Sequence, residues 1–228
     1  MEVLYEDNHL VLVNKTAGEI VQGDKTGDTA LSELVAEYIR KKYQKPGDAF
    51  IGVIHRLDRP VSGLVAFART SKALSRMNAL FRDRKVEKVY WALVEGKPDA
   101  SSGTLVHFLH KNEAKNKSFA GKVAGDGLLR CELDFKVLVS TDNYSLLEIR
   151  PGSGRHHQIR VQLSSSGWPI RGDVKYGAKR GNDDRSICLH ARSLTFQHPV
   201  KQEPLCVTAP LPSNAAWKPL APWPAYFS

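Results

Sequence analysis

One acidic side chain stands in a short segment whose residue types could do chemistry. Asp58 lies between Arg56 and Arg59, in a polar stretch that separates two apolar runs. Pro60 fixes its own φ and disfavours helix at Arg59, and Gly63 allows a tight return, so we predict a stiff loop between two strands. A carboxylate held rigidly beside cations could act in catalysis, and it could equally be a structural ion pair. The residues of this segment leave both interpretations open.

A second candidate position is an arginine near the start of a predicted helix. Residues 151–154 break a strand pattern, and Ser153 is a residue type that caps a helix beginning near Arg155. A cation at a helix N-terminus is unfavourable unless an anion docks there. His156 and His157 are adjacent, so on a helix they point about 100° apart and are poorly placed to share a metal. We therefore predict an anion-binding position at Arg155 and no zinc site.

Hydrophobic periodicity predicts the elements that must position these residues. Strands are predicted over 3–5, 10–13, 50–54, 64–68, 88–95, 103–109, 129–139, 144–149, 187–196 and 205–208. Helices are predicted after Asp28 or Thr29, from Ser71 and from about Arg155. Many strands with a few helices interspersed indicate an α+β fold and a single domain.

Two stretches lack a regular pattern. Residues 110–122 are polar and are predicted to form a mobile loop whose lysines either contact phosphates or are merely solvated; these are Lys111, Lys115, Lys117 and Lys122. From Pro210 the chain is rich in proline, and its aromatic residues predict an irregular tail that packs back on the body; they are Trp217, Trp223, Tyr226 and Phe227.

The charge balance narrows the class of partner. Of 228 residues, 33 are Lys or Arg and 24 are Asp or Glu, which gives a net charge of +9. A polyanion is the expected partner, nucleic acid before an anionic membrane, although a merely basic surface is the alternative.

Cys131, Cys188 and Cys206 are widely spaced and fit neither a zinc site nor a disulfide framework. The acidic N-terminal residues do not resemble a signal peptide and no apolar run reaches the ~20 residues of a membrane span, so we expect a cytoplasmic protein.

Several segments together resemble the RluA-type family of RNA pseudouridine synthases. The segments that carry the resemblance are His55-Arg56-Leu57-Asp58 with Ser62-Gly63-Leu64, Lys88 to Gly96 around Tyr90, Pro151 to Val161 around Arg155, Gly172-Asp173 with Tyr176-Gly177, Leu189-His190-Ala191 with His198-Pro199, and Ala209 to Pro212. These matches run in order from about Val3 to Pro212, so the resemblance covers most of the chain.

The resemblance implies both a fold and a reaction. The implied fold is a mixed, mainly antiparallel, bifurcated sheet flanked by helices and loops around a central active-site cleft. It implies a single catalytic domain over 1–228, with a family-like core over about 3–212, a tail over 213–228 and no N-terminal S4-like domain. The implied reaction isomerises uridine in ribosomal or transfer RNA to pseudouridine, with no cofactor and no metal. We expect the protein to act as a monomer.

The resemblance also assigns roles to residues. Asp58 matches the family's catalytic aspartate, Arg155 is expected to pair with it, and Tyr90 is expected to lie against the uracil and to help remove the proton from carbon 5. Whether Asp58 attacks the sugar or removes a proton from it stays open. The target base must leave its stack to reach Asp58. Further RNA contacts are expected from His55, Arg56, Arg59, Arg160, Lys111, Lys115 and Lys117.

Two departures and two alternative functions remain. Val61 and His156 each stand where the family usually has threonine, which bears on substrate fit more than on activity. The first alternative is an RNA-binding or RNA-chaperone protein on the same scaffold. The second is a glycoside hydrolase, which needs two acids flanking one bond, and Asp173 is the nearest candidate for a second acid.

Overall fold

The computed structural model describes residues 1–121, 123–125 and 127–220, and the chain divides into two compact units. The first unit comprises Met1–Lys88 and Ala191–Pro212, and the second comprises Val89–His190 and the chain from Ser213 on. Trp223, Tyr226, Phe227 and Lys122, which were assigned to the tail and the 110–122 loop, lie outside the described residues. No helix in the described ranges is long and apolar enough to cross a membrane.

The described elements alternate between strands and a few helices, as an α+β fold requires. In chain order the strands are β1 (Glu2–Glu6), β2 (Leu10–Lys15), β3 (Gly52–Val53), β4 (Ser62–Ala68), β5 (Glu87–Glu95), β6 (Ser102–Asn112), β7 (Lys117–Gly121), β8 (Leu129–Ser140), β9 (Tyr144–Pro151), β10 (Leu189–Gln197) and β11 (Pro204–Thr208). The α-helices are α1 (Leu31–Lys42), α2 (Ser71–Arg82) and α3 (Gln158–Ser165), and short 3-10 helices cover Val174–Tyr176 and Ala215–Leu220.

In the first unit the strands run in the order β1-β2-β4-β10, with β3 paired to β4 and β11 paired to β10. Strand β4 is buried along its whole length, and β2 is almost as deeply buried, which explains their continuous apolar sequences. These two strands are antiparallel, and their register places Lys15 directly opposite Gly63. The end of β2 is thereby brought to the start of β4, where the Asp58 loop returns to the sheet.

The helices of the first unit bury one face each. In α1 the residues Leu31, Val35 and Ile39 are buried at the expected helical spacing. The predicted caps of this helix were wrong, because Ala30 occupies the N-cap position and the Asp28 carboxylate instead accepts a hydrogen bond from Arg59 at 2.6 Å. Helix α2 begins at Ser71 as predicted, and the Thr70 hydroxyl caps it by accepting a hydrogen bond from the Ala73 amide at 3.1 Å.

In the second unit the strands run in the order β5-β9-β8-β6-β7, and each neighbouring pair is antiparallel. The prediction of a mobile loop over 110–122 was wrong, because β6 continues to Asn112 and β7 pairs with it. Leu109 and Ser118 are buried, whereas Lys111 near the end of β6 and Lys115 in the turn are exposed. The lysines therefore lie on a β-hairpin that has a defined register.

The last helix begins later than its sequence predicted. Helix α3 starts at Gln158, because His157 adopts a left-handed conformation with φ of 54° that cannot continue a helix. Ser153 does not cap the helix, and its hydroxyl instead donates to the Gln158 side-chain oxygen at 2.6 Å. Arg155 consequently lies in the turn before α3 and not in the first helical turn.

Candidate active site

The Asp58 loop is a tight backbone turn in the first unit. The Val61 amide donates to the Asp58 carbonyl at 3.0 Å, and the Gly18 amide donates to the Arg59 carbonyl at 2.8 Å. Gly63 has a φ of 111°, and a Cβ at this position would lie 2.6 Å from the Ala191 nitrogen. Only glycine fits there, so the chain enters β4 immediately after the loop and the half-buried Asp58 is held on a short, constrained segment.

Lys15 lies beneath this loop and is fully buried. Its ammonium donates to the carbonyl of Val61 at 2.6 Å, of Thr16 at 3.0 Å and of Arg59 at 3.1 Å, and it lies 3.4 Å from that of Asp58. Desolvation lowers the pKa of Lys15 to about 8, although attraction to Glu19 and Asp58 opposes this change. Sequence reasoning missed this residue. The available signal was a lysine that directly extends the apolar run of β2.

His55 has a structural environment. Its Nε2 accepts a hydrogen bond from the Ala66 amide at 3.1 Å, and its ring stacks on Phe81 with the centroids 5.1 Å apart. Desolvation, with a smaller contribution from Lys88, lowers the pKa of His55 to about 4, so the ring is neutral near pH 7. A neutral ring that accepts a hydrogen bond from β4 ties the segment before the loop to that strand, and the RNA contact of His55 stays a prediction.

The two arginines of the loop are exposed. Arg59 forms an ion pair of 2.6 Å with Asp28, and both side chains are about half exposed. Because neither charge is buried, such a pair contributes only about 0–1 kcal/mol to stability. Arg56 and Arg59 therefore present positive charge to solvent on the same loop as Asp58.

In the second unit, Tyr90 and Arg155 are both partly buried. Tyr90 lies on β5 opposite Ile149 of β9. The backbone amide of Arg155 donates to the side chain of Gln158 at 3.3 Å. Its Nε is buried and has no hydrogen-bond acceptor among the described residues. A buried guanidinium donor is costly unless an acceptor reaches it, which is the environment expected of an anion-binding arginine.

The turn that carries Arg155 is fastened to the β6–β7 hairpin. The His156 Nδ1 lies 2.9 Å from the Ser118 hydroxyl, which also donates to the His156 carbonyl at 2.7 Å. The Tyr176 hydroxyl accepts from the Ser118 amide at 2.9 Å and lies 2.8 Å from the His157 Nδ1. Both histidines, which stack on each other with centroids 3.7 Å apart, thus hold the turn in place. Ser118 and Tyr176 were not predicted to serve this turn.

Arg160 is buried in an ion pair within the second unit. Its side chain is 6% exposed and forms a bidentate pair with Asp173, at 2.7 Å from Nε and 2.8 Å from the second nitrogen. The guanidinium also lies 5.0 Å from the centre of the Tyr176 ring. This pair gives both residues a structural role. The RNA contact of Arg160 stays a prediction, and the glycoside hydrolase that would need Asp173 as a second acid is not favoured.

The lysines of the hairpin differ in their surroundings. Lys111 is exposed and lies 2.7 Å from Glu113, and Lys115 is exposed near the hairpin turn. Lys117 is partly buried, with its ammonium 5.1 Å from the centre of the Tyr176 ring and 5.7 Å from that of Phe119. All three carry positive charge along one hairpin of the second unit.

The predicted catalytic residues belong to different units, Asp58 to the first and Tyr90 and Arg155 to the second. Among the described residues, no group of three or more His, Cys, Asp or Glu side chains is arranged to hold a metal ion.

Comparisons with known proteins identify the family. A sequence model described as RNA pseudouridylate synthase matches residues 9–165. Ribosomal large subunit pseudouridine synthase C of Vibrio parahaemolyticus is 34% identical over 219 residues, covering 93% of this chain and 66% of the relative. An uncharacterized RNA pseudouridine synthase of Bacillus subtilis is 30% identical over 218 residues, covering 94% of this chain and 70% of the relative. The chain spans about two thirds of the length of the first curated relatives that it matches.

Solved structures agree with this assignment. Human RNA pseudouridylate synthase domain containing 4 superposes with a TM-score of 0.77 at 25% identity, over 93% of this chain and 89% of that chain. Human RNA pseudouridylate synthase domain containing 1 gives a TM-score of 0.74 at 26% identity, over 99% of this chain and 85% of that chain. The predicted α+β pseudouridine synthase fold is confirmed. The chain belongs to the RNA pseudouridylate synthase family.

Proposed function

We propose that this chain isomerises specific uridines in RNA to pseudouridine, with Asp58 as the catalytic carboxylate. The observation that carries the proposal is the position of Asp58, at the family's aspartate, on a loop whose backbone carbonyls are held by the buried Lys15. Breaking a bond between a base and ribose requires a nucleophile at the sugar or stabilisation of positive charge there. An ionised carboxylate supplies either.

The remaining roles follow from the surroundings of each residue. Arg155, with a buried donor that lacks an acceptor in the described chain, is proposed to pair with the Asp58 carboxylate. Tyr90 is proposed to stack on the uracil and to assist the loss of its carbon-5 proton. The target nucleotide must be extruded from its stack to reach these groups. Arg56, Arg59, Lys111, Lys115 and Lys117 are proposed to contact phosphates.

The substrate is proposed to be ribosomal RNA, with transfer RNA as the alternative. Several of the most similar relatives are named for the large ribosomal subunit, which supports this choice. We propose that the protein works as a monomer in the cytoplasm, without a metal or cofactor.

The proposal is tested by release of tritium from carbon 5 of labelled uridine. Purified protein is incubated with transcripts of large-subunit ribosomal RNA and with transfer RNA, and Asp58→Asn is compared with wild type. We expect the rate to fall by roughly 10²- to 10⁴-fold, the range for loss of one catalytic group. Asp83→Asn, at the exposed end of α2, is the matched control and should retain wild-type activity.

Two outcomes would contradict the proposal. Tritium release that persists in Asp58→Asn would remove Asp58 from its role. Absence of release by wild type from either RNA, together with strand-annealing activity unchanged in Asp58→Asn, would support the RNA-chaperone alternative. A circular-dichroism spectrum and an unfolding curve for each variant establish that loss of activity is not loss of fold.

A further inference from the structure

We infer that the outward face of the β6–β7 hairpin is a stacking platform for an unpaired base of the RNA substrate, and that His110 and Phe119 are the rings that receive this base. The inference rests on the proposed function, since it concerns the RNA on which that reaction acts. The platform binds a nucleotide other than the target uridine. Its contact with RNA can therefore be measured without the reaction.

The first observation is a pair of aromatic rings at directly opposite positions of the hairpin. His110 of β6 is paired with Phe119 of β7, so both side chains lie on the same face of the sheet. Their rings stack, with the centroids 5.3 Å apart and the planes 17° from parallel. His110 is exposed and Phe119 is partly exposed. Unpaired RNA bases stack on histidine and phenylalanine rings, so a base can join this pair as a third ring.

The apolar surface continues beyond this pair along β6. Phe108 lies two residues before His110, so it is on the same face, and it is partly exposed. Its partner on β7 is Gly121, which has no side chain to cover the ring. Val106 lies further along the same face and is 40% exposed. A contiguous row of exposed apolar side chains is more characteristic of a binding surface than of a solvated one.

Positive charge borders these rings and favours RNA as the occupant. The Lys117 ammonium lies 5.7 Å from the centre of the Phe119 ring. Arg130 of β8 is paired with Phe108, and its side chain is 58% exposed although it contacts Glu132 at 2.8 Å. Rings bordered by cations are the combination that binds single-stranded nucleic acid, because the rings take the bases and the cations take the phosphates.

A purely structural role for the ring pair is the competing explanation, and the inward face of the hairpin argues against it. On that face Ser118 is buried, its hydroxyl donates to the His156 carbonyl at 2.7 Å, and its amide donates to the Tyr176 hydroxyl at 2.9 Å. Leu109 is buried as well. These inward contacts specify the register of the hairpin, so the outward rings are available to a ligand.

The same contacts relate the platform to the proposed catalytic arginine. Ser118 immediately precedes Phe119, and its hydrogen-bonding partner His156 immediately follows Arg155. Successive side chains of a strand point to opposite faces, so Phe119 points away from the Arg155 turn. Strand β7 is the last in the order of this sheet, and an RNA strand that passes around this edge reaches both faces. The platform therefore holds a base near the target, and the substrate must be unpaired there.

The binding test uses fluorescein-labelled oligoadenylate of about twelve nucleotides, which contains no uridine and cannot undergo the reaction. Wild type is compared with His110→Leu and Phe119→Leu, which keep an apolar side chain without a ring. We expect the affinity to fall roughly 5- to 100-fold in each variant, the range for loss of one stacking ring. The slope of log affinity against log salt concentration should stay unchanged in Phe119→Leu, since that change removes no charge.

Two further variants make the comparison specific. His110→Tyr keeps a ring at this position and should retain the wild-type affinity within about twofold. Phe50→Leu removes a ring that is 48% exposed in the first unit, and it should leave the affinity unchanged. Protection of the Ser118 amide against hydrogen exchange establishes that the hairpin is intact in each variant.

A second measurement needs no loss of a ring. 2-Aminopurine is placed at single positions of the oligoadenylate, and its fluorescence falls when it stacks on an aromatic side chain. With wild type and with His110→Tyr we expect this fall at particular positions of the bound oligonucleotide, and with His110→Leu we expect it to be lost. If a leucine variant does not fold, wild type and His110→Tyr decide the question.

The outcomes separate this inference from the proposed function. If wild type binds oligoadenylate through the two rings but releases no tritium from any RNA tested, the proposed function fails and the platform is supported. Wild-type affinity in folded His110→Leu and Phe119→Leu overturns the platform, as does 2-aminopurine fluorescence that falls at no position. Equal losses of affinity in His110→Tyr and His110→Leu overturn it as well, because the imidazole and not stacking is then responsible.

Discussion

At the scale of single residues, the environment of a side chain decides its role more than its type does. Arg155 and Arg160 lie close together in sequence, and both were expected to serve a ligand. Arg160 is buried in a bidentate pair with Asp173, whereas the buried Nε of Arg155 has no acceptor among the described residues. Arg160 is therefore part of the framework of the second unit, and Arg155 is a candidate for binding an anion.

The buried Arg160–Asp173 pair gives a prediction about stability. Arg160→Met should lower the free energy of unfolding by about 3–5 kcal/mol, because it leaves the Asp173 carboxylate buried without its cation. The double variant Arg160→Met with Asp173→Leu should recover most of this loss, since removing both charges of a buried pair is often neutral. Urea unfolding monitored by circular dichroism measures both. A small stability loss in Arg160→Met combined with a large loss of RNA affinity would instead support the prediction that Arg160 contacts RNA.

Residue patterns identified the candidate catalytic positions, but they did not predict the contacts that surround those positions. Asp58, Tyr90 and Arg155 were identified from motifs that the family membership supports, and their roles stay proposals. Lys15 was missed because its burial depends on the pairing of β2 with β4, which a local pattern does not contain. The structural environment of His55 likewise depends on Ala66 and Phe81, which are remote from it in sequence.

At the scale of elements, the β6–β7 hairpin was the largest error. Its residues are mostly polar, and polar composition was interpreted as a mobile loop. The alternation of buried and exposed positions is short here, and the buried position Ser118 is polar because it binds His156. The apolar strands and the two amphipathic helices of the first unit were predicted close to their observed bounds, because their periodicity extends over many residues.

The hairpin and the Arg155 turn meet at the Tyr176 hydroxyl, which gives a prediction for this contact. Tyr176→Phe should lower the free energy of unfolding by about 1–3 kcal/mol, because the Ser118 amide loses its acceptor in a buried site. It should also slow tritium release, since the turn that carries Arg155 loses the contact to His157. Thermal unfolding and single-turnover rates measure the two effects.

Tyr144→Phe is the matched control for this change. The Tyr144 ring lies 5.5 Å from the Arg171 guanidinium, a contact that phenylalanine keeps. Equal behaviour of Tyr144→Phe and Tyr176→Phe would show that the hydroxyl of Tyr176 has no special part in holding the turn.

At the scale of the whole chain, the net charge of +9 indicated a polyanionic partner, and the charge is not evenly placed. Some basic side chains are engaged within the protein, among them Lys15, Arg69 and Arg160, which are buried or nearly so. Others are exposed, including Arg56 on the Asp58 loop and Lys115 on the hairpin. Composition alone counts both groups alike, so it predicts the sign of the partner's charge and not the surface that binds it.

The last prediction distinguishes a local RNA-binding surface from the effect of net charge. Each lysine that contacts a phosphate contributes roughly 0.7–0.9 to the slope of log affinity against log salt concentration. Replacing Lys111, Lys115 and Lys117 by glutamine should therefore reduce the magnitude of this slope by about 2–3 if all three contact RNA. Filter binding of labelled ribosomal RNA over a range of salt concentrations measures the slope.

The control changes net charge by the same amount elsewhere in the chain. Lys25, Lys41 and Lys45 are exposed in the first unit, and their replacement by glutamine should leave the slope nearly unchanged. Because counterion release counts only the phosphates that are neutralised by contact, the two triple variants should differ even though their net charges are equal. Equal slopes would assign RNA binding to the general positive charge of the protein and would remove the hairpin from the proposed RNA-binding surface.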